Sequence, residues 1–122
     1  MADKFIEELE SIRSFRVNAD DYNWMFSYPD VIFEIILEAP PTKEQTSIAV
    51  NALETFVQYY NKRHFFRPIH YISDIDHLPK GNHAWGIYVH IDFGNSPPSA
   101  VVSAVKALEK TELPIFRVAL LW

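Results

Sequence analysis

The chain has 122 residues, which is the length of one domain, and 48% of them are hydrophobic, which is enough to build a core. It contains no cysteine, so disulfide frameworks and thiolate sites are excluded, and a net charge of −5 argues against a nucleic-acid binder with a basic surface. Aromatic residues reach 15% beside only three glycines, so glycine-rich phosphate loops have little room and the aromatic surplus needs an explanation.

The N-terminal region carries two predicted elements. Residues 4–15 are predicted as a helix because apolar residues recur at helical spacing through Leu9 and Ile12. Residues 17–21 are polar and typical of a turn, and residues 22–28 alternate aromatic and polar side chains as a strand does. The sequence shows neither the basic start and apolar run of a signal peptide nor the roughly 20 apolar residues that cross a bilayer. We therefore expect a cytoplasmic protein with no membrane partner.

The clearest strand covers residues 31–38, where one face is wholly apolar and the other face is mixed. That composition is typical of a strand in the centre of a sheet. Pro40 ends it because proline offers no N–H to the sheet. Thr42 is then predicted as the N-cap of a helix that runs to about residue 63, with Gln45 completing a capping box.

Two strands, a helix and a last strand complete the chain. Residues 69–76 and 84–93 alternate apolar and polar side chains, the second run more cleanly than the first. A helix follows Pro98 and ends near residue 113, and residues 115–122 form the last strand. The core positions expected in these strands include two large aromatic side chains, Trp85 and Phe116.

The order of elements from residue 31 onward is strand, helix, strand, strand, helix, strand, which predicts an α+β fold of the ferredoxin-like βαββαβ type. Right-handed crossovers put both helices on one face of a four-stranded antiparallel sheet. The expected strand order is last, first, third, second. We predict a single domain over 1–122, in which 1–30 add a helix and a strand to a ferredoxin-like core at 31–122.

The face of this sheet without helices is the expected functional surface. Carboxylates and aliphatic side chains share it, and the N-terminal helix covers it, or it pairs with a second copy of the chain, or it binds a different, basic protein. The residues expected to contact a partner are Glu34, Glu38, Asp74, Asp76, Tyr88 and Asp92, together with Trp24 and Tyr28 from the N-terminal strand.

Histidines supply the other chemical candidate. A hairpin near residue 80 would bring His70 opposite His90, and two imidazoles with nearby carboxylates are ligands for zinc or another divalent metal. The alternative is that both are ordinary surface histidines.

The sequence contains no catalytic motif, so no catalytic residue and no cofactor are predicted.

One basic cluster lies at the end of the first core helix, where Lys62, Arg63, His64 and Arg67 lie beside Phe65 and Phe66. Aromatic and basic side chains together are typical of single-stranded nucleic-acid binding. Because the chain is acidic overall, the sequence favours a solvated helix end instead. Neither phenylalanine is explained as core by the helix or strand period.

A small, acidic, cysteine-free and aromatic-rich chain resembles the bacterial immunity proteins of contact-dependent inhibition and other polymorphic toxin systems. The resemblance spans the whole chain. It implies a tight complex with a cognate, basic, nuclease-type toxin domain, in which acidic groups stand where nucleic-acid phosphates would lie, and no direct contact with nucleic acid. Two other classes stay open: a small ferredoxin-like metal-binding protein or enzyme that uses His70 and His90, and a homodimeric structural or regulatory domain.

Overall fold

A five-stranded mixed sheet forms the body of the molecule in this computed structural model, which describes residues 12, 15–20, 30–75 and 83–121. The elements among these residues are β1 (Arg16–Asp20), β2 (Asp30–Leu37), α1 (Lys43–Arg63), β3 (Tyr71–Asp74), β4 (Gly86–Asp92), α2 (Ser99–Glu109) and β5 (Ile115–Leu121). The α+β class is therefore confirmed. Most of the helix predicted at 4–15, and the whole strand predicted at 22–28, lie outside the described residues.

The strand order across the sheet is β1-β5-β2-β4-β3. β2 pairs antiparallel with both β4 and β5, and β3 pairs antiparallel with β4. The edge strand β1 pairs parallel with β5, in a register that joins Val17 to Val118. The interpretation of residues 17–21 as a turn was wrong, because the free edge of β5 supplies backbone partners that a polar segment needs to become a strand.

Two clusters of buried side chains lie on the two faces of the sheet. Alternate residues of β2, such as Phe33 and Ile35, point to the face that packs against both helices, which we call the helix-side face. The side chains of Ile12 and Phe15 belong to this cluster. The opposite face, which we call the second face, carries a smaller cluster of buried side chains, namely Ile32, Tyr88, Ala119 and Leu121.

The start of α1 shows why local sequence signals succeed here. The backbone N–H of Gln45 donates to Thr42 Oγ1 at 3.0 Å, and the N–H of Thr42 donates to Gln45 Oε1 at 3.0 Å. This reciprocal pair satisfies two N–H groups that the first helical turn leaves without partners. The predicted capping box is confirmed.

Two aromatic side chains expected in the core are exposed instead. Trp85 is 43% exposed because it lies in the turn before β4 begins, and Phe116 is 60% exposed. The pairing of β2 with β5 shifts register between Ile36 and Leu37, so Ile115 enters the core at the start of β5 in place of Phe116. A period read from the sequence cannot foresee such a shift.

The turn after β4 depends on Gly94, whose φ of +58° lies in the left-handed region. A Cβ added there would lie 2.9 Å from the carbonyl oxygen of Pro68 and 2.9 Å from Nε2 of His70.

We expect Gly94→Ala to lower the free energy of unfolding by about 1–3 kcal/mol, measured by urea denaturation. Asn95→Ala, at the exposed neighbouring position, should change it by less than about 0.5 kcal/mol. Equal stability of the two variants would contradict the steric argument.

Candidate functional site

The carboxylate of Glu34 on the second face is engaged within the fold. It accepts a hydrogen bond from the hydroxyl of Tyr88 at 2.9 Å, and its other oxygen lies 3.6 Å from Nη2 of Arg117. The same tyrosine hydroxyl accepts the backbone N–H of His83 at 2.6 Å. Because the Glu34 side chain is only 16% exposed, these contacts stabilise a carboxylate that burial would otherwise penalise.

Tyr88, expected to contact a partner, is buried. It is 3% exposed, and its ring lies over Gly86, where an added Cβ would come within 2.8 Å of the ring. The placement of Tyr88 on the protein surface was therefore wrong. The residue packs the second face and hydrogen-bonds Glu34.

The remaining acidic residues of β2 and β4 have different surroundings. Asp92 accepts the N–H of Gly94 at 2.9 Å and so shapes the turn after β4. His90 Nε2 lies 3.0 Å from Oδ1 of Asp30, a carboxylate that is 41% exposed. Glu38 follows β2 and is exposed. Of the predicted acidic surface on these strands, Glu38 is the most accessible carboxylate, and Asp92 serves the fold.

The register of β3 differs from the expected one. Ser73 pairs with His90, and Asp74 pairs with Val89, a residue of the helix-side cluster. Asp74 is the last residue of β3, and its role as a partner contact stays a prediction. Asp76, Trp24 and Tyr28 lie outside the described residues.

The same register separates the two candidate metal ligands. The backbone N–H of His70 donates to the carbonyl of Asp92, the last residue of β4, while His90 lies opposite Ser73. The prediction that His70 faces His90 was wrong. Within the part of the chain that the structure describes, no group of three or more histidine, aspartate or glutamate residues is arranged to hold a metal ion.

A large open groove lies instead along the outer surface of the helices. Its volume is about 1260 Å³, and α1, α2 and the loop after α1 contribute its walls. Small side chains of both helices line it, among them Ala52, Ala100 and Ala107. Small-molecule pockets usually hold roughly 300–1,000 Å³, so this groove has the size to accept a segment of another macromolecule.

Exposed aromatic side chains border the groove near the end of α1. Tyr59, Phe65 and Phe66 are 58%, 69% and 86% exposed. The rings of the two phenylalanines lie 4.3 Å apart, and the guanidinium of Arg63 lies 4.7 Å from the centre of the Tyr59 ring. Inside this border the ring of Tyr60 stacks on His64 at 4.2 Å. Three of the aromatic side chains that line the groove are therefore open to solvent.

Hydrogen bonds hold the loop that presents the two phenylalanines. The side-chain amide of Asn61 donates to the carbonyl of Ile69 at 2.9 Å and accepts the N–H of Ile69 at 2.8 Å. Ser96, which is 3% exposed, donates to the carbonyl of Arg67 at 3.1 Å. The loop is thus tied both to α1 and to the segment before α2, so the aromatic side chains stand on a fixed support.

The charge of the groove is opposite to that of the chain. Arg63, Arg67, Lys106 and Lys110 line it, against the single acidic residue Glu112. Arg63 and Arg67 belong to the basic cluster seen in the sequence, which was interpreted as a solvated helix end. The lysines of α2 were missed because they lie about forty residues further along the chain, and only the packing of the two helices brings both pairs to one groove.

No protein-family model, no curated protein and no solved structure matches this chain. In the described part of the chain, neither helix is both long and apolar enough to span a membrane. Function is therefore inferred from the side chains and their arrangement.

We expect Asn61→Ala to lower the free energy of unfolding by about 1–3 kcal/mol, because it leaves the N–H and the carbonyl of Ile69 without their partners. The substitution should also speed amide hydrogen exchange at Ile69, which NMR measures directly. Asn51→Ala is the matched control, since Asn51 is an exposed residue of the same helix. If the two variants have equal stability and equal exchange at Ile69, the side chain of Asn61 does not hold the loop.

Proposed function

We propose that this protein works by binding another protein and that the groove between α1 and α2 is its docking surface. The observation that carries the proposal is that three exposed aromatic side chains, Tyr59, Phe65 and Phe66, line one groove. Contiguous exposed apolar surface marks interaction sites, and tyrosine and arginine are enriched among the residues that dominate binding energy.

The support beneath these side chains favours the same conclusion. The bonds from Asn61 and Ser96 fix the loop before any partner arrives. A surface that is already ordered loses less conformational entropy on association, so more of its contact energy appears as affinity.

Within this class, we propose that the partner is a cognate toxin domain, which the protein neutralises in the cytoplasm by forming a tight complex. The immunity-protein resemblance and the net charge of −5 support this form. An acidic chain attracts a basic toxin at long range and speeds association. Of the acidic residues, Glu38 and Asp30 are exposed enough to take part.

In this proposal the acidic residues and the groove contribute differently to binding than the sequence suggested. Net acidity supplies long-range attraction, whereas the groove supplies the anchoring contacts. The acidic surface remains part of the proposal, and charge reversal at Glu38, an exposed carboxylate, tests it. If Glu38→Lys binds the toxin domain as tightly as the wild type, this carboxylate does not contact the partner.

The strand order β5-β2-β4-β3, with antiparallel pairing throughout, supports the finer proposal that residues 31–122 form a ferredoxin-like unit. In this proposal β1 is an addition that extends the unit at its β5 edge. The groove then lies on the outer surface of the two helices, away from the sheet.

The double variant Phe65→Ser/Phe66→Ser tests the docking surface. Both side chains are exposed, so the fold should persist, and loss of two aromatic anchors should raise the Kd by roughly 100-fold or more. The partner to be tested is the product of the adjacent upstream gene, which the proposal expects to end in a toxin domain, and titration calorimetry measures the Kd.

Phe116→Ser is the matched control, because Phe116 is 60% exposed but lies on β5 outside the groove. It should change the Kd by less than about threefold. Absence of a complex with the wild-type protein would overturn the toxin proposal. A complex equally tight with both variants would overturn the groove as its docking surface.

A further inference from the structure

The two walls of the groove repeat at helical spacing. On α1 the lining advances by three or four residues from Ile48 through Ala52 to Arg63, and on α2 it advances from Ala100 through Ala107. The α1 wall alone extends for about 22 Å at 1.5 Å per residue. A channel between two helices, lined on one wall by Ala52 and aromatic side chains and on the other by small side chains such as Ala100 and Ala107, has room for a third helix.

The cations lie at the two ends of this channel. Ser96, before α2, bonds to the carbonyl of Arg67, after α1, so the end of one helix lies beside the start of the other. Arg63 and Arg67 consequently occupy one end, and Lys106 and Lys110 lie toward the other. An occupant that runs the length of the groove meets positive charge near both of its ends, and among the described residues that line the groove Glu112 is the one acidic side chain.

This charge distribution selects among possible occupants. A second copy of the chain, docked symmetrically through the same surface, would bring the two sets of cations together. A nucleic acid would be attracted by the cations, but its sugar–phosphate backbone offers no apolar face to the alanine side chains of the two walls. A protein segment with acidic edges and an apolar face is attracted to the rim and also fits the apolar lining.

We infer that the groove binds an acidic amphipathic α-helix of the partner protein. Its apolar side chains, spaced at i, i+3, i+4 and i+7, pack against Ala52, Ala107 and the aromatic border, and its carboxylates meet the basic side chains at the two ends. The inference rests on the proposed function, since it specifies what docks in the same groove.

The test uses two synthetic peptides of about 18 residues, which span roughly 27 Å as helices. Both carry leucine and phenylalanine along one face, and the other positions hold glutamate and alanine in one peptide and lysine and alanine in the other. We expect the glutamate peptide to bind the full-length protein at least about tenfold more tightly than the lysine peptide, as measured by fluorescence anisotropy. Circular dichroism should show that the bound peptide gains helix, and amide NMR shifts should map to Ala52, Ser103 and Ala107.

Lys106→Glu/Lys110→Glu should weaken binding of the glutamate peptide by about tenfold or more, because it reverses the charge at one end of the groove. The matched control is Lys43→Glu/Lys62→Glu, which changes the net charge equally at exposed positions outside the groove. The control should weaken binding by less than about threefold.

Three results would overturn the inference. One is binding without a gain of helix, and another is equal binding of the two peptides. The third is a single-stranded oligonucleotide of about 12 nucleotides that shifts the same amides, loses affinity in Lys106→Glu/Lys110→Glu and binds more tightly than the glutamate peptide.

The inference and the proposed function fail separately. If neither peptide binds while Phe65→Ser/Phe66→Ser still abolishes the complex with the natural partner, the groove docks something other than an acidic helix and only the inference falls. If that variant leaves the natural complex intact, the docking function falls as well.

Discussion

The fold depends on the burial of β2 on both of its faces. Every residue of this strand is buried except Asp30 and Glu34. A carboxylate in such a strand must find partners inside the protein or the strand loses stability. Glu34 has Tyr88 and Arg117, and Asp30 has His90. The central strand thereby uses an acidic group and its neighbours to hold the sheet together.

Local and short-range signals explain what the sequence predicts well. The capping box of Thr42 and Gln45 needs only residues three apart, and the alternation in 31–38 and 84–93 reflects two strands that pair with each other at the centre. The faces on which the isoleucines of the β3 region pack were not predicted correctly, because Ile69, Ile72 and Ile75 do not keep to one face in a simple alternation. In the structure Ile69 and Ile72 pack with the helix-side cluster and Ile75 with the other. β1 was missed because its stability comes from an edge of β5 that lies about a hundred residues away.

The groove illustrates a different limit. Phe65 and Phe66 stood out in the sequence because no helix or strand period placed them in the core, and both are exposed. Tyr88 stood out in the same way and is buried, because its hydroxyl finds Glu34 across the strand pair. Whether an unexplained aromatic residue serves a surface or a buried network thus depends on cross-strand and helix–helix neighbours. Such neighbours come from distant parts of the chain, and no single segment encodes them.

The separation between core and groove has a consequence for how such a protein diversifies. The side chains that make the groove aromatic and basic, such as Phe66 and Lys110, are exposed and contribute little to the packed interior. The hydrogen bonds that hold the loop after α1 come from Asn61 and Ser96, which are not among the exposed aromatic residues of the groove. Substitutions along the groove are therefore expected to leave the stability of the scaffold nearly unchanged. If the groove docks a partner as proposed, changing a few of these surface positions would change the partner, with the same sheet beneath them.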